Sequence, residues 1–166
     1  DVVTLLQGLV TGDVHTLKVE GSGFVTTAVD LKGRLVADLK MIHLPDALII
    51  DAEAEPGLAF LAHARRHVMM EDARFKDRTP TTGRAALVGP QAASILERSG
   101  RWLASPHDLL DYHATTGRIG AFEVVIQSVP DFGLPAFEVF CDATVQLDVM
   151  QRLLNVSSEA KLAGST

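Results

Sequence analysis

The sequence predicts an α+β fold, with mixed and antiparallel sheets and flanking helices. Two observations predict it. Three apolar strand-like runs between positions 23 and 53 are joined by turns too short for a helical crossover, which suits an antiparallel meander. The second half then interleaves strand and helix patterns in an order that a doubly wound parallel sheet would not give.

At 166 residues, 47% of them hydrophobic, the chain can bury a core as one domain or as two small lobes. A net charge of −6 gives no general attraction toward phosphate backbones or anionic lipid, so neither nucleic acid nor a membrane is expected as a partner. Cys141 is the single cysteine, so there is no internal disulfide and no set of four thiolates for a cluster; a reducing, cytoplasmic compartment fits. The apolar runs fall short of the about 20 residues a membrane helix needs, and no basic segment opens the chain. Its start at Asp1, directly in an apolar helical run, reads as a domain cut from a longer polypeptide.

Taken in order, "DVVTLLQGLV" sets Val2, Leu5, Leu6 and Leu9 on one side of a short helix that Gly12 and Asp13 end. "GFVTTAVD", "RLVADLKMIHL" and "ALIIDAE" are the meander strands. "PGLAFLAHARRHVMM" carries Leu58, Leu61, Ala62, Val68 and Met69 at helical spacing, with Pro56 suited to a first turn. The polar stretch "KDRTPTTG" divides a lobe at 1–78, meander plus helices, from a mixed strand-helix lobe at 83–166.

In the second lobe "RAALV" reads as a strand, "GPQAASILERSG" as a helix opened by Gly89-Pro90, and "SPHDLLDYH" as a helix capped by Ser105. "GRIGAFEVVIQSV" and "LPAFEVFCD" are two strands joined at "PDFG", which pairs the two "AFEV" copies in one hairpin. "DATVQLDVMQRLL" closes the chain as a helix capped by Asp142.

Two acids stand out. Alternation puts Leu35, Ala37, Leu39 and Met41 on one strand face and Arg34, Val36, Asp38 and Lys40 on the other. Asp38 therefore meets either water, where Lys40 partly neutralises it, or a polar cavity. Glu138 lies beside Ala136 and Phe140 while Phe137, Val139 and Cys141 fill the opposite face, so both faces of its strand are apolar apart from this acid. Burying such a charge alone is costly, and it calls for a partner: an arginine, or a ligand with paired N–H donors.

His63 and His67 stand four apart in "HARRH", a spacing that lets two imidazoles meet one metal. No third ligand is evident and Arg65 and Arg66 would repel a cation, so no metal site is expected. There is no GK[ST], no GxSxG and no complete dinucleotide turn.

The segments "LLQGLVTGDV", "VDLKGRLVADL", "RRHVMMEDARFKD", "ALVGPQAASIL", "FGLPAFEV" and "AKLAG", in that order, resemble the folate-binding superfamily that includes the glycine cleavage T-protein (GcvT) and the YgfZ-type proteins of iron-sulfur cluster maintenance. "VDLKGRLVADL" is similar to the family's "GGxxDDL" or "KGRxxADL" strand pair, with Ala37 at the first acid of the doublet and Asp38 at the other. The resemblance gives Asp38 the catalytic and cofactor-binding part of holding the reacting nitrogens of tetrahydrofolate. "FGLPAFEV" resembles "GYTGEDGxE", whose last acid falls on Glu138, implying a carboxylate that accepts two N–H bonds from the pterin. Leu134 and Pro135 replace that motif's acidic pair. The chain ends at "KLAGST", where family members run on toward a C-terminal barrel, so the resemblance implies a version truncated before it.

"LQG", "LKGRLVADL" and "RRHVMMEDARFKD" are more similar to the YgfZ type than to T-proteins. The resemblance thus implies tetrahydrofolate, or a derivative, as cofactor and a role in iron-sulfur cluster assembly or repair, with iron-sulfur proteins as partners and Cys141 a bystander. Two alternatives stand beside it: a folate-dependent aminomethyltransferase, and a degenerate, non-catalytic docking copy of the fold.

Overall fold

The computed structural model describes residues 2–68 and 73–157. The chain divides into two compact units, Asp1–Asp77 and Arg78–Thr166. Each has its own sheet and its own apolar core.

In the first unit, helix α1 (Val2–Gln7) precedes a three-stranded sheet, β1 (Gly23–Val29), β2 (Leu35–Leu44) and β3 (Ala47–Asp51), in the order β1-β2-β3 with both ladders antiparallel. The β1–β2 turn is built by Asp30, whose carboxylate accepts the backbone N–H of Lys32 (2.8 Å) and of Arg34 (3.0 Å) and the Arg34 guanidinium (2.8 Å). Gly33 takes φ +74 there, a left-handed conformation that favours glycine. Helix α2 (Ala54–His67) packs on β2, and Leu6, Leu9, Val14, Ala37, Leu39, Met41, Phe60 and Ala64 form the core.

The alternation of β2 holds for Ala37, Leu39 and Met41, all buried, but Leu35 is exposed at the strand's start. In α2 the expected core set is displaced. Leu58 and Ala62 face solvent, while Phe60 and Ala64, at i and i+4, are the buried pair. The helix turns the opposite side, with Phe60 and Ala64, to the sheet. Met69, expected to close that face, lies outside the described residues, as do parts of "RRHVMMEDARFKD" and all of "AKLAG".

The second unit has a five-stranded sheet, β4 (Thr82–Val88), β5 (Arg101–Trp102), β6 (Ala114–Ile119), β7 (Phe122–Ser128) and β8 (Ala136–Asp142), in the order β4-β8-β7-β6-β5. Every ladder among the described residues is antiparallel. One face, with Phe137, Val139, Val124, Ile126 and Ile119, packs on helices α3 (Ala92–Ser99) and α4 (Gln146–Val156) through Ile95, Leu96, Val149 and Leu153.

Two expectations for this unit are corrected. The run 117–129 is not one strand: it straddles a hairpin, because Gly120 at φ +64 turns the chain between β6 and β7. The run 105–113 is not a helix. Ser105 does cap a single 3-10 turn, Pro106–Asp108, but Leu109 is already extended and Tyr112 is left-handed, so the helix cannot propagate. Strand β5, only two residues long, carries too little pattern to read. The "AFEV" strands do pair, as β7 with β8, and Asp142 caps the closing segment by accepting the Thr144 N–H at 2.8 Å. At Gly89-Pro90 the Gly89 N–H donates to the Pro135 carbonyl at 2.9 Å, ordinary strand-to-helix turning.

Candidate functional site

Glu138 is 3% exposed, in a strand with neighbours on both sides. Register sets it opposite Ala86 of β4 and Gln127 of β7, so its side chain leaves the face away from α3 and α4. Arg84, a diagonal neighbour across the β4–β8 ladder, reaches it: a guanidinium nitrogen stands 2.5 Å from Oε1. The Arg84 side chain is 45% exposed and also lies over the Phe140 ring, 5.8 Å from its centroid. The partner demanded by an acid on an apolar strand is thus present within the unit, as an arginine.

Gln127 is a further buried polar residue that neither motif nor resemblance marks. It is fully buried beside Glu138, and its Nε2 donates to the Tyr112 carbonyl at 2.9 Å. A signal does exist: in "VVIQSV" the alternation puts Gln127 on the face of Val125, opposite Ile126, so a polar side chain directly follows an apolar run of three residues.

Asp38 is exposed on β2. Its Oδ1 accepts the Thr27 hydroxyl at 3.0 Å, from the residue directly opposite on β1. The same face is not uniformly wet, because Ile42, four residues further along it, is fully buried. Ala37 points the other way into the core, so an acid at that position could not share a ligand face with Asp38, and its loss takes nothing from that face.

His63 and His67 meet with ring centroids 4.6 Å apart, and His67 Nδ1 is 2.9 Å from the His63 carbonyl. Burial, with the charges of His67 and Arg66, pushes the His63 pKa down, Asp30 opposing them. No cluster of three or more His, Cys, Asp or Glu able to hold a metal occurs among the described residues. Burial, and the neighbouring Asp142 charge, push the Cys141 thiol up, away from thiolate reactivity. No helix among the described residues is long and apolar enough to cross a membrane.

A two-unit α+β chain with a carboxylate buried on a sheet strand of one unit and another exposed on a strand of the other defines a class of domain more than an activity. The particular family follows from comparison: residues 1–165 match the GCVT N-terminal domain, and the chain belongs to that family. The fold is shared with the glycine cleavage system aminomethyltransferase T from Bartonella henselae, at TM-score 0.73 and 18% identity over 92% of this chain and 40% of that one. It is also shared with the heterotetrameric sarcosine oxidase from Corynebacterium sp. U-96, solved with pyrrole 2-carboxylate, at TM-score 0.63 and 18% identity over 87% of this chain and 70% of the other. The chain therefore spans well under half the length of the aminomethyltransferase. No curated protein matches it in sequence.

Proposed function

We propose that the chain binds tetrahydrofolate or a derivative and acts, in the manner of YgfZ-type proteins, in support of iron-sulfur cluster assembly or repair in the cytoplasm, with iron-sulfur proteins as its partners. The observation that carries the reading is Glu138, a carboxylate 3% exposed on a strand otherwise apolar on both faces. Its position is that of the last acid of the family motif that "FGLPAFEV" resembles. A carboxylate can accept the ring N–H and the amino group of a pterin together, a planar bidentate match. Arg84 holds it through Oε1 and fixes where it points.

Asp38, exposed and steadied by Thr27, would orient the reacting nitrogens of the folate. Burial of Ala37 supports a single-acid site on that strand, since the doublet's other acid has no place on the ligand face. At the acidic pair of the T-protein motif stand Leu134, half exposed, and Pro135, and neither can carry a proton. That favours binding over one-carbon transfer.

Calorimetric titration of 5-formyltetrahydrofolate, paired with an assay for one-carbon transfer from an aminomethyl donor to tetrahydrofolate, tests the reading. Saturable binding without transfer is expected. Transfer that disappears in Asp38→Asn would replace this reading with an aminomethyltransferase. A folded protein that binds no folate would leave a docking domain.

A further inference from the structure

We infer that Gln127 is a second ligand-reading residue beside Glu138, an uncharged acceptor for an N–H group beyond the two that the carboxylate takes. The inference rests on the folate reading above and narrows it to rings bearing an unsubstituted amino group.

Gln127 and Glu138 are direct cross-strand partners, so their side chains leave the same face of the sheet side by side. The Gln127 side chain is wholly buried. Its amide nitrogen is used by the Tyr112 carbonyl, yet its Oε1, also buried, meets no donor among the described residues. Reversing the amide offers no escape, because that would set Oε1 against the Tyr112 carbonyl, acceptor against acceptor.

The arrangement is held from outside. Tyr112 sits at φ 62, a left-handed conformation that a bulky residue adopts only at a cost, and it is pinned to β7 by its N–H, which donates to the Ser128 carbonyl at 2.9 Å. Its hydroxyl donates to Asp131 at 2.7 Å. The strained residue thereby aims its carbonyl at Gln127 and fixes which end of the amide is presented beside Glu138.

A buried acceptor without a donor is unfavourable, and such groups in folded proteins call for a reason. A ligand N–H supplies one. On an aminopyrimidine ring, the ring N–H and one amino hydrogen suit the carboxylate, and the second amino hydrogen remains for a neutral oxygen. A ring with a carbonyl in place of the amino group would meet two acceptors and be rejected.

The test compares 5-formyltetrahydrofolate with its derivative singly methylated on the 2-amino nitrogen, which keeps the hydrogen for Glu138 and loses the other. Wild-type protein should bind the parent about tenfold more tightly, the size of one good hydrogen bond, and Gln127→Ala should erase most of that preference. A preference that survives unchanged in Gln127→Ala overturns the inference and leaves the folate reading intact. Should Gln127→Ala not fold, the wild type decides alone, since equal affinity for the two compounds also overturns it. Absence of any binding of the parent compound by wild type refutes the folate reading and this inference with it.

Discussion

The sheets of the two units each carry a carboxylate on an alternating strand, and the two acids end in opposite settings. Asp38 is exposed and hydrogen-bonds a threonine across the ladder. Glu138 is buried, with an arginine on one oxygen and a glutamine opposite it. Alternation sets the face on which a side chain emerges, but not what lies over that face; this depends on neighbours far along the chain. On the proposed folate reading, a change at Asp38 therefore has little effect on folding and reports function alone, whereas at Glu138 stability and ligand binding would be coupled.

The sharpest way to break this comparison is to remove the arginine. Arg84→Ala leaves the buried Glu138 carboxylate without its guanidinium and should cost about 3 kcal/mol of unfolding free energy in urea denaturation. Glu138→Gln should cost less, about 1.5 kcal/mol, because Arg84, with 45% of its side chain exposed, is rehydrated when its partner loses charge. Equal losses would mean that the two groups are buried to the same degree in solution. Asp38→Asn and Thr27→Ala, by contrast, should each change stability by less than about 0.5 kcal/mol.

Acid should act on the first unit through His63 before it reaches Asp30. Because the His63 pKa is pushed below its ordinary 6.5, the unfolded chain takes up that proton at a higher pH than the folded chain does. Stability is complete above 6.5 and declines as the pH falls beneath it, and His63→Gln should flatten that decline. Asp30 follows at lower pH: its carboxyl, held down to about 2 chiefly by hydrogen bonds from Arg34, contributes stability above the ordinary 3.8 that is lost as the pH falls toward 2. A carboxyl titration followed by NMR would show the Asp30 midpoint directly, with a value near 3.8 contradicting the turn geometry.

The α+β class, the meander and the pairing of the two "AFEV" strands were legible because each rests on local pattern: period-two runs, short turns and repeated segments. The errors fell where pattern is shared or brief. In α2, Leu58 and Phe60 are both apolar but lie two positions apart, on opposite sides of the helix, and only packing on β2 selects Phe60. Gly120 inside an apolar run could mark a bulge or a turn, and its pairing partners decide. Of the candidate site, alternation and resemblance single out the two acids. Arg84 could not, since its link to Glu138 joins strands 54 residues apart in sequence.

On the proposed folate reading, Glu138 is buried to serve a ligand as well as Arg84. Urea unfolding of wild type and Glu138→Gln, each with and without 5-formyltetrahydrofolate, tests it most directly. The ligand should raise the wild-type unfolding free energy, by about 2.7 kcal/mol at a hundredfold excess over Kd, and leave Glu138→Gln nearly unmoved. Equal stabilisation of both proteins, or of neither, would contradict the claim.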